Sequence, residues 1–554
     1  MRSRSKILKS KRIDKLVFIP TVILFCVISA ILIAGGSSLQ GFLSSILHWI
    51  TTEMGWGYMW IYVINFIFFV YLLISRYGGI RFGSAKQKPE YSTFQWGSMV
   101  FATAIDASIL MLSIVDPLRY LQQPPFGAKP YSVTAYNVSH MYGQFNWGPM
   151  AWLMFAAPTI AIGYVMYNKH RKVQSLSNAI TVLDGQKPWK RALRQIVDIV
   201  VVFGIMGGVG ASVGLEIPVI SKTLSMLTGI RDNLGLKSEL FVILFIIFSI
   251  TVFKGLKGGI DKLSNAHIWT AIIFLAIILI VGPTVYILNS ETSSIGLLIQ
   301  KFIPMSTNTV PNGTPGIAQQ ETIFYWGWWL SYMPFMGLFI ARISRGRTIR
   351  QVLIGMLTFG ALGCMSFYAI LGGYSLWLQK TGVVNLVHIL NTQGQAAAIA
   401  AVISTLPLKM IMFAIYCVSC FIFLATTISS SAFVLSSFTS LKLKPSEQPS
   451  RFNRMTWVVV FIIFSFSLVV VGGFKTVQTF CTIAGFPVLF IFPLLLASII
   501  KMLRNDRSVQ FVQVKRSALH RFTERRKKRR LRNDLLRKVY AAKKIKCPSV
   551  KSWE

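Results

Sequence analysis

Acidic residues are scarce in this chain. Only 18 Asp and Glu stand against 57 Lys and Arg in 554 residues, a formal charge of +39, and charged residues of both signs make up 14%. So little charge, together with 53% hydrophobic residues and a mean hydropathy of +0.58, excludes a soluble globular protein. Cysteine is scarce too. Cys26, Cys364, Cys417, Cys420 and Cys481 fall in apolar runs and Cys547 in a basic tail, without metal-ligand spacing, so they read as small core residues rather than disulfides. Cys417 and Cys420 form a C-x-x-C pattern, but in mid-run without flanking polarity it reads as packing more than redox chemistry. No Gly-rich phosphate loop with its Lys, no H-E-x-x-H and no G-x-S-x-G occurs. ATP-driven pumping and membrane hydrolysis therefore have no support, and neither an enzyme nor a cofactor is expected. Transport driven by an ion or solute gradient is the default that remains.

What the chain has instead is a succession of apolar runs about 20 residues long, each sufficient to cross the hydrocarbon core. They lie near 15–36, 57–75, 97–121, 147–167, 195–220, 238–255, 268–289, 321–344, 348–378, 406–433, 455–474 and 478–501. The pattern predicts an all-α membrane protein of 12 transmembrane helices in the cell membrane. The first run follows a basic leader but continues as a full-length span without a small-residue cleavage site, so it is not expected to be a removable signal peptide.

A charge of +39 invites nucleic acid as a partner, but its placement does not. Lys and Arg cluster before the first run, in 76–89, 168–194, 342–350 and 442–454, and after Lys501, whereas 122–146, 290–320 and 379–405 are nearly free of them. Basic clusters after every second span mark cytoplasmic segments, so both termini are expected in the cytoplasm and no nucleic acid is expected. The tail from 501 carries 19 Lys and Arg against four acids, densest at Arg525-Arg-Lys-Lys-Arg-Arg530. Such a run contacts anionic membrane lipids or merely anchors the topology, and both uses stay open.

Along the chain the expected order is a basic N-terminus at 1–14, two helices within 15–90, a first five-helix half at 91–290, an outside loop at 291–320, a second half at 321–501 and a basic tail at 502–554. Segments 291–304 and 384–404 are moderately apolar and read as interfacial or re-entrant helices. Each half opens on an unusual helix: 97–121 holds Asp106, Ser108, Ser113 and Asp116-Pro117, and 321–344 holds Gly327, Ser331 and Pro334. Interrupted helices at matching places in two halves point to a substrate site near the midplane.

Aromatic rings crowd the second of these helices, from Phe324 to Phe335. Tyr325, Trp328, Trp329 and Tyr332 stand at i, i+3, i+4 and i+7, so one helical face carries four rings. Ring faces around a gap suit a quaternary ammonium ion, which has no N–H donor and cannot be held by hydrogen bonds. An aromatic belt at the membrane interface is the competing account, although belt residues usually scatter around a helix.

These residues resemble the betaine/carnitine/choline transporters. The Trp-rich segment runs into Phe339-Ile-Ala-Arg-Ile-Ser-Arg-Gly-Arg-Thr-Ile-Arg350, which is similar to the family's signature helix and following loop. Tyr120-Leu-Gln-Gln-Pro-Pro-Phe-Gly127 and Phe145-Asn-Trp-Gly-Pro-Met-Ala-Trp152 are closest to the carnitine branch. The resemblance covers about 15–500 and implies a LeuT-like fold of inverted five-helix repeats (helices 3–7 and 8–12) behind two extra helices. A homotrimer and a trimethylammonium solute such as glycine betaine, carnitine or choline are implied with it. It also implies an aromatic cage: Trp328, Trp329 and Tyr332 on the main helix, with Trp147 and Trp152 on the fourth, and Phe335 as an ion-coupling or gating candidate. Phe155 stands where Tyr is usual, a ring without its hydroxyl. For Trp147 alone, anchoring at the interface is the alternative.

The chain departs from the family pattern at three places. Ala102-Thr-Ala-Ile-Asp-Ala-Ser108 replaces a Gly-rich unwound stretch and puts Asp106 in a span; an intramembrane carboxylate is a functional candidate, with helix capping as the alternative. Ala425-Thr-Thr-Ile-Ser-Ser-Ser431 keeps Thr427 and Ser429 but puts Ile428 where a sodium-ligating Ser is common. Asp261 stands near where carnitine exchangers carry a basic residue that replaces sodium, and pairing with Lys262 is its simpler use. Sodium coupling is therefore doubtful, and proton symport through Asp106 or exchange against a counter-substrate is expected. A non-transporting membrane sensor and an amino-acid carrier of similar fold are the competing functions.

Overall fold

A computed structural model describes residues 13–104, 107–171, 175–254, 261–309, 316–441, 443, 447–472, 474–506 and 526–539. The chain divides into two units, 1–499 and 500–554. No β-sheet forms among the described residues; Ile13 with Ser440 and Arg81 with Thr348 make two isolated antiparallel bridges there.

Helix falls on all twelve of the apolar intervals. Eight helices are long and apolar enough to cross a membrane, and a bent pair makes up to nine. That pair is Asn265–Val281 and Thr284–Thr307, turned by 110° at Gly282-Pro283, where proline removes a donor and cannot continue the helix. The segment 291–304, expected to lie along an interface, is thus a helix running sharply off its predecessor. Segment 384–404 folds as Leu386–Gln393 and Gln395–Ser404.

One interval starts much earlier than the apolar pattern. Helix runs from Val133, capped by the Ser132 hydroxyl on Ala135 N, through Pro149–Met154 to Tyr167. Its first turns read as loop because they hold His140, Gln144 and Asn146, yet all three are buried. Each has found a partner: His140 Nδ1 with Ser294 Oγ at 2.6 Å, Gln144 with Glu291 at 2.6 Å and Asn146 with Tyr120 Oη at 3.0 Å. Satisfied polar groups can be buried at little net cost, which hydropathy does not register.

The Trp-rich helix Ile317–Ile343 lies at the centre of the first unit, against Ala156–Tyr167, Pro188–Thr228 and Phe474–Arg504. Two glycines allow the close crossing. A Cβ at Gly485 would stand 1.9 Å from the Gly327 carbonyl oxygen, and one at Gly208 would stand 2.3 Å from Ser331 Oγ. The outer faces of Lys15–Gly35 and Gly55–Ile74 instead expose Ile19, Ile23, Ile31, Ile64 and Ile67, a surface suited to hydrocarbon.

The basic connections do more than carry charge. Arg347 lies over the Trp96 ring at 4.3 Å and donates to the carbonyls of Tyr91 and Ser92. Arg350 donates to the carbonyls of Leu73 and Ser75. In the second unit, residues 526–539 form a helix whose Leu531, Leu535, Leu536 and Val539 are exposed among Arg and Lys.

Candidate functional site

Around the Trp-rich helix the rings form one connected set. Trp328 and Trp329 lie parallel, at 2° and 5.4 Å between centroids, and Tyr325 is stacked on both at 20°. Trp147, from the helix that begins at Val133, stands nearly perpendicular to them: 80° and 4.6 Å to Trp329, 81° and 6.1 Å to Trp328. Tyr332 closes the set from one turn further along, at 77° to both tryptophans, and Phe335 packs on Tyr332. Phe155 meets Trp329 edge-on at 6.0 Å, and Trp152 reaches the set through Phe155 at 5.7 Å. All of these side chains are buried. Trp326 points elsewhere, stacked on Tyr62 at 4.2 Å and 11°.

Polar bonds fix the ring planes. Trp329 Nε1 donates to the Asn146 carbonyl at 3.0 Å, Trp328 Nε1 to the Gly208 carbonyl at 3.3 Å, and the Tyr332 hydroxyl pairs with Ser212 at 2.9 Å. The glycine at 208 that permits the close helix crossing therefore also brings its carbonyl within reach of Trp328. The indole and phenol polar tips are thus turned away from one another, and the faces are left as the chemically distinctive surface.

At one end of the set lies a cluster of ionisable groups. The Tyr325 hydroxyl donates to Asp116 Oδ2, as does Tyr368 at 2.8 Å. Asp116 Oδ1 faces Arg119 at 3.5 Å, and Glu321 Oε1 lies 4.0 Å from the same guanidinium. Gln478 donates to both oxygens of Glu321, and Arg119 sits over the Phe474 ring at 3.7 Å from its centroid. Arg119, Glu321, Phe324 and Phe474 line a chamber of about 1000 Å³ that extends to residues 390–396 and Gly472.

The structure brings together Tyr325, Trp328, Trp329, Tyr332, Phe335, Trp147 and Phe155, with Trp152 adjoining. Of the remaining site residues, Ser108, Thr427 and Ser429 have described side chains. Ser108 is buried and donates to Glu216 Oε1 at 2.7 Å. Thr427 and Ser429 are buried on Lys409–Phe438 with hydroxyls that have no hydrogen-bond partner among the described residues. Asp261 begins the helix Asp261–Val281, its side chain outside the described residues. Asp106 lies outside the described residues altogether. Cys364, Cys417, Cys420 and Cys481 are buried thiols, whereas Cys26 is exposed on the first helix and Cys547 is outside the described residues.

Sequence reading missed Asp116, Glu216 and Glu321 as candidates. The signal was available, since each is an acid in a chain poor in acids and each falls in an apolar interval. The rule that singled out Asp106, that an ionisable residue in a span is expensive and functional by default, applies equally to all three.

A family profile described as BCCT, betaine/carnitine/choline family transporter, matches residues 16–508. The chain belongs to that family. It is a multi-pass membrane transporter, and the family's transporters take small quaternary ammonium substrates. It is 31% identical over 441 residues to the uncharacterized transporter YeaV of Escherichia coli (strain K12), covering 79% of this chain and 90% of that one. A solved structure of a Na+-coupled sialic acid symporter, in a substrate-bound outward-open state, aligns with a TM-score of 0.43 and 14% identity over 76% of this chain and 81% of the other.

Proposed function

We propose that this member of the betaine/carnitine/choline transporter family carries a small trimethylammonium solute by alternating access, with its ammonium group caged by rings. One observation carries the reading: the parallel faces of Trp328, Trp329 and Tyr325, with Trp147 nearly perpendicular to Trp329. Ring edges are the positive part of an aromatic quadrupole and ring faces the negative part. A quaternary ammonium seeks those faces with a full charge, and Trp147 is packed against the same rings, 4.6 Å from Trp329. A cation within about 6 Å of each ring centroid does not fit between Trp147 and Trp329 at their 4.6 Å separation. Loading therefore requires Trp147 to withdraw. The break between Trp147 and Pro149 supplies a place for that movement, because Gly148 and Pro149 separate two helical segments.

The expectations on membrane arrangement carry over as parts of this proposal. They are twelve spans in the plasma membrane with cytoplasmic termini, inverted repeats over 91–290 and 321–501, a homotrimer, and anionic lipids at the 502–554 tail. The motifs at 120–127 and 145–152 favour the carnitine branch.

Uptake of labelled choline, glycine betaine and carnitine into proteoliposomes tests the proposal. Concentrative uptake of at least one is expected. Binding without movement would put the membrane sensor ahead, and uptake of an amino acid in place of all three would put the amino-acid carrier ahead. Such a carrier offers hydrogen-bond acceptors to its substrate's ammonium, whereas the polar tips here point away from the ring faces.

A further inference from the structure

We infer that the floor of the chamber beside the ring set selects its solute by charge, favouring net-cationic ammonium compounds without a carboxylate over zwitterions. The inference rests on the ring-cage reading and narrows its substrate class, against the zwitterionic carnitine that the motifs at 120–127 and 145–152 favour.

Arg119 and Glu321 line the chamber, and the buried Asp116 faces the same guanidinium without lining it. Asp116 and Glu321 both face Arg119, at 3.5 and 4.0 Å, so the trio carries a formal charge of −1. The chamber's other charged pair, Lys237 with Asp232 at 3.7 Å, cancels. A zwitterion's carboxylate needs a cation to replace its lost hydration. Arg119 lies over the face of Phe474 at 3.7 Å and faces two acids, although its Nη1 makes no hydrogen bond among the described residues. An added carboxylate would meet Glu321 and Asp116 as like charges.

For a cation the same place is receptive. Phe324 and Phe474 offer ring faces in the chamber, and Phe324 is stacked on Trp328 at 5.3 Å, leading directly to the cage. Asp116 is fully buried, and its Oδ1 accepts no hydrogen bond. Burying a carboxylate is costly, and this chain spends few of its 18 acids inside the fold. Glu321 one turn before Tyr325, and Asp116 hydrogen-bonded to the Tyr325 hydroxyl, bias the approach toward positive charge.

Equilibrium binding of choline and glycine betaine to the purified full chain tests the inference. Wild type is expected to bind choline at least about tenfold more tightly than betaine. Glu321→Gln keeps the shape and removes one charge, so it should lower choline affinity about five- to tenfold while leaving betaine unchanged or improved. Glu321→Asp should restore most of the preference, which a merely structural role would not predict. Equal affinity for the two solutes in wild type, or an equal loss of both in Glu321→Gln, overturns the charge selection while leaving the cage intact, provided Trp329→Leu still weakens both. Absence of binding for both solutes overturns both readings.

Discussion

Trp329 is where the cage makes its sharpest demand on a single residue. It packs against Trp147, its plane is parallel to Trp328, and its Nε1 is tied to the Asn146 carbonyl. Trp329→Leu is expected to raise the dissociation constant for the solute about 10- to 30-fold, from about 1.5–2 kcal/mol of desolvated cation–π attraction. Trp329→Phe keeps a ring face and should lose less; equal losses would mean that the residue packs the helix and does not cage a cation. Trp326→Leu should leave affinity nearly unchanged, because that ring stacks on Tyr62 away from the set. Tyr325→Phe separates ring from hydroxyl. It preserves the face and strips one of the two phenol donors from Asp116, which should destabilise the protein by about 1.5–3 kcal/mol. A thermal melt in detergent measures it, and a wild-type melting temperature would show that the phenol–carboxylate bond contributes nothing net.

Among the elements, the crossing of Ile317–Ile343 with Phe474–Arg504 has the least freedom. Gly485→Ala would bring a Cβ to 1.9 Å from the Gly327 carbonyl oxygen, a backbone atom that cannot rotate aside. The helices must part, and a loss of about 1–3 kcal/mol or more is expected. Gly296→Ala, on Thr284–Thr307 with open space around its Cβ, should instead gain up to about 1 kcal/mol of helix propensity. Comparing the two unfolding midpoints checks the claim; a matched loss in both would mean that generic helix packing, not this crossing, governs stability. Element boundaries followed the apolar pattern where lipid or core was the environment. They failed at Val133, where buried polar residues are matched to partners on other helices, a fact that no local window contains. The bend at Gly282-Pro283 was missed in a run read as one span over 268–289, although proline writes such a break locally.

At the scale of the whole molecule the open quantity is coupling. Ile428 removes a hydroxyl from the expected sodium site, the third-helix glycines are missing, and Asp106 adds a carboxylate. Uptake of choline and betaine is therefore expected to persist without a sodium gradient and to respond to a proton gradient or to a counter-substrate. Initial rates under separately imposed gradients, for wild type and Asp106→Asn, decide it. Strict sodium dependence, unaltered in the variant, would assign Asp106 to capping. The tail belongs to the same scale. The helix over 526–539 sets eight Arg and Lys and one acid beside an exposed stripe of Leu531, Leu535 and Val539. Truncation after 505 should leave substrate affinity intact and change activation by osmolality or anionic lipid, given about 1 kcal/mol per basic residue near such a surface. An unchanged profile in anionic liposomes would return the tail to topology alone.

Membrane class, helical content, transporter family and the crowding of rings on one helical face were all determined by the amino-acid sequence by itself. Each depends on composition, period or local motif, which are properties of contiguous residues. Only the tertiary structure decided that Trp147 from one helix packs against Trp328 and Trp329 on another. It alone paired Asp116 with Tyr325 and Tyr368, some 209 and 252 residues away along the chain, and set Arg119 between two acids on the ring of Phe474. Those juxtapositions follow from helix crossings fixed by glycine contacts and buried hydrogen bonds, whose partners are distant in sequence, so neither hydropathy nor periodicity carries a trace of them.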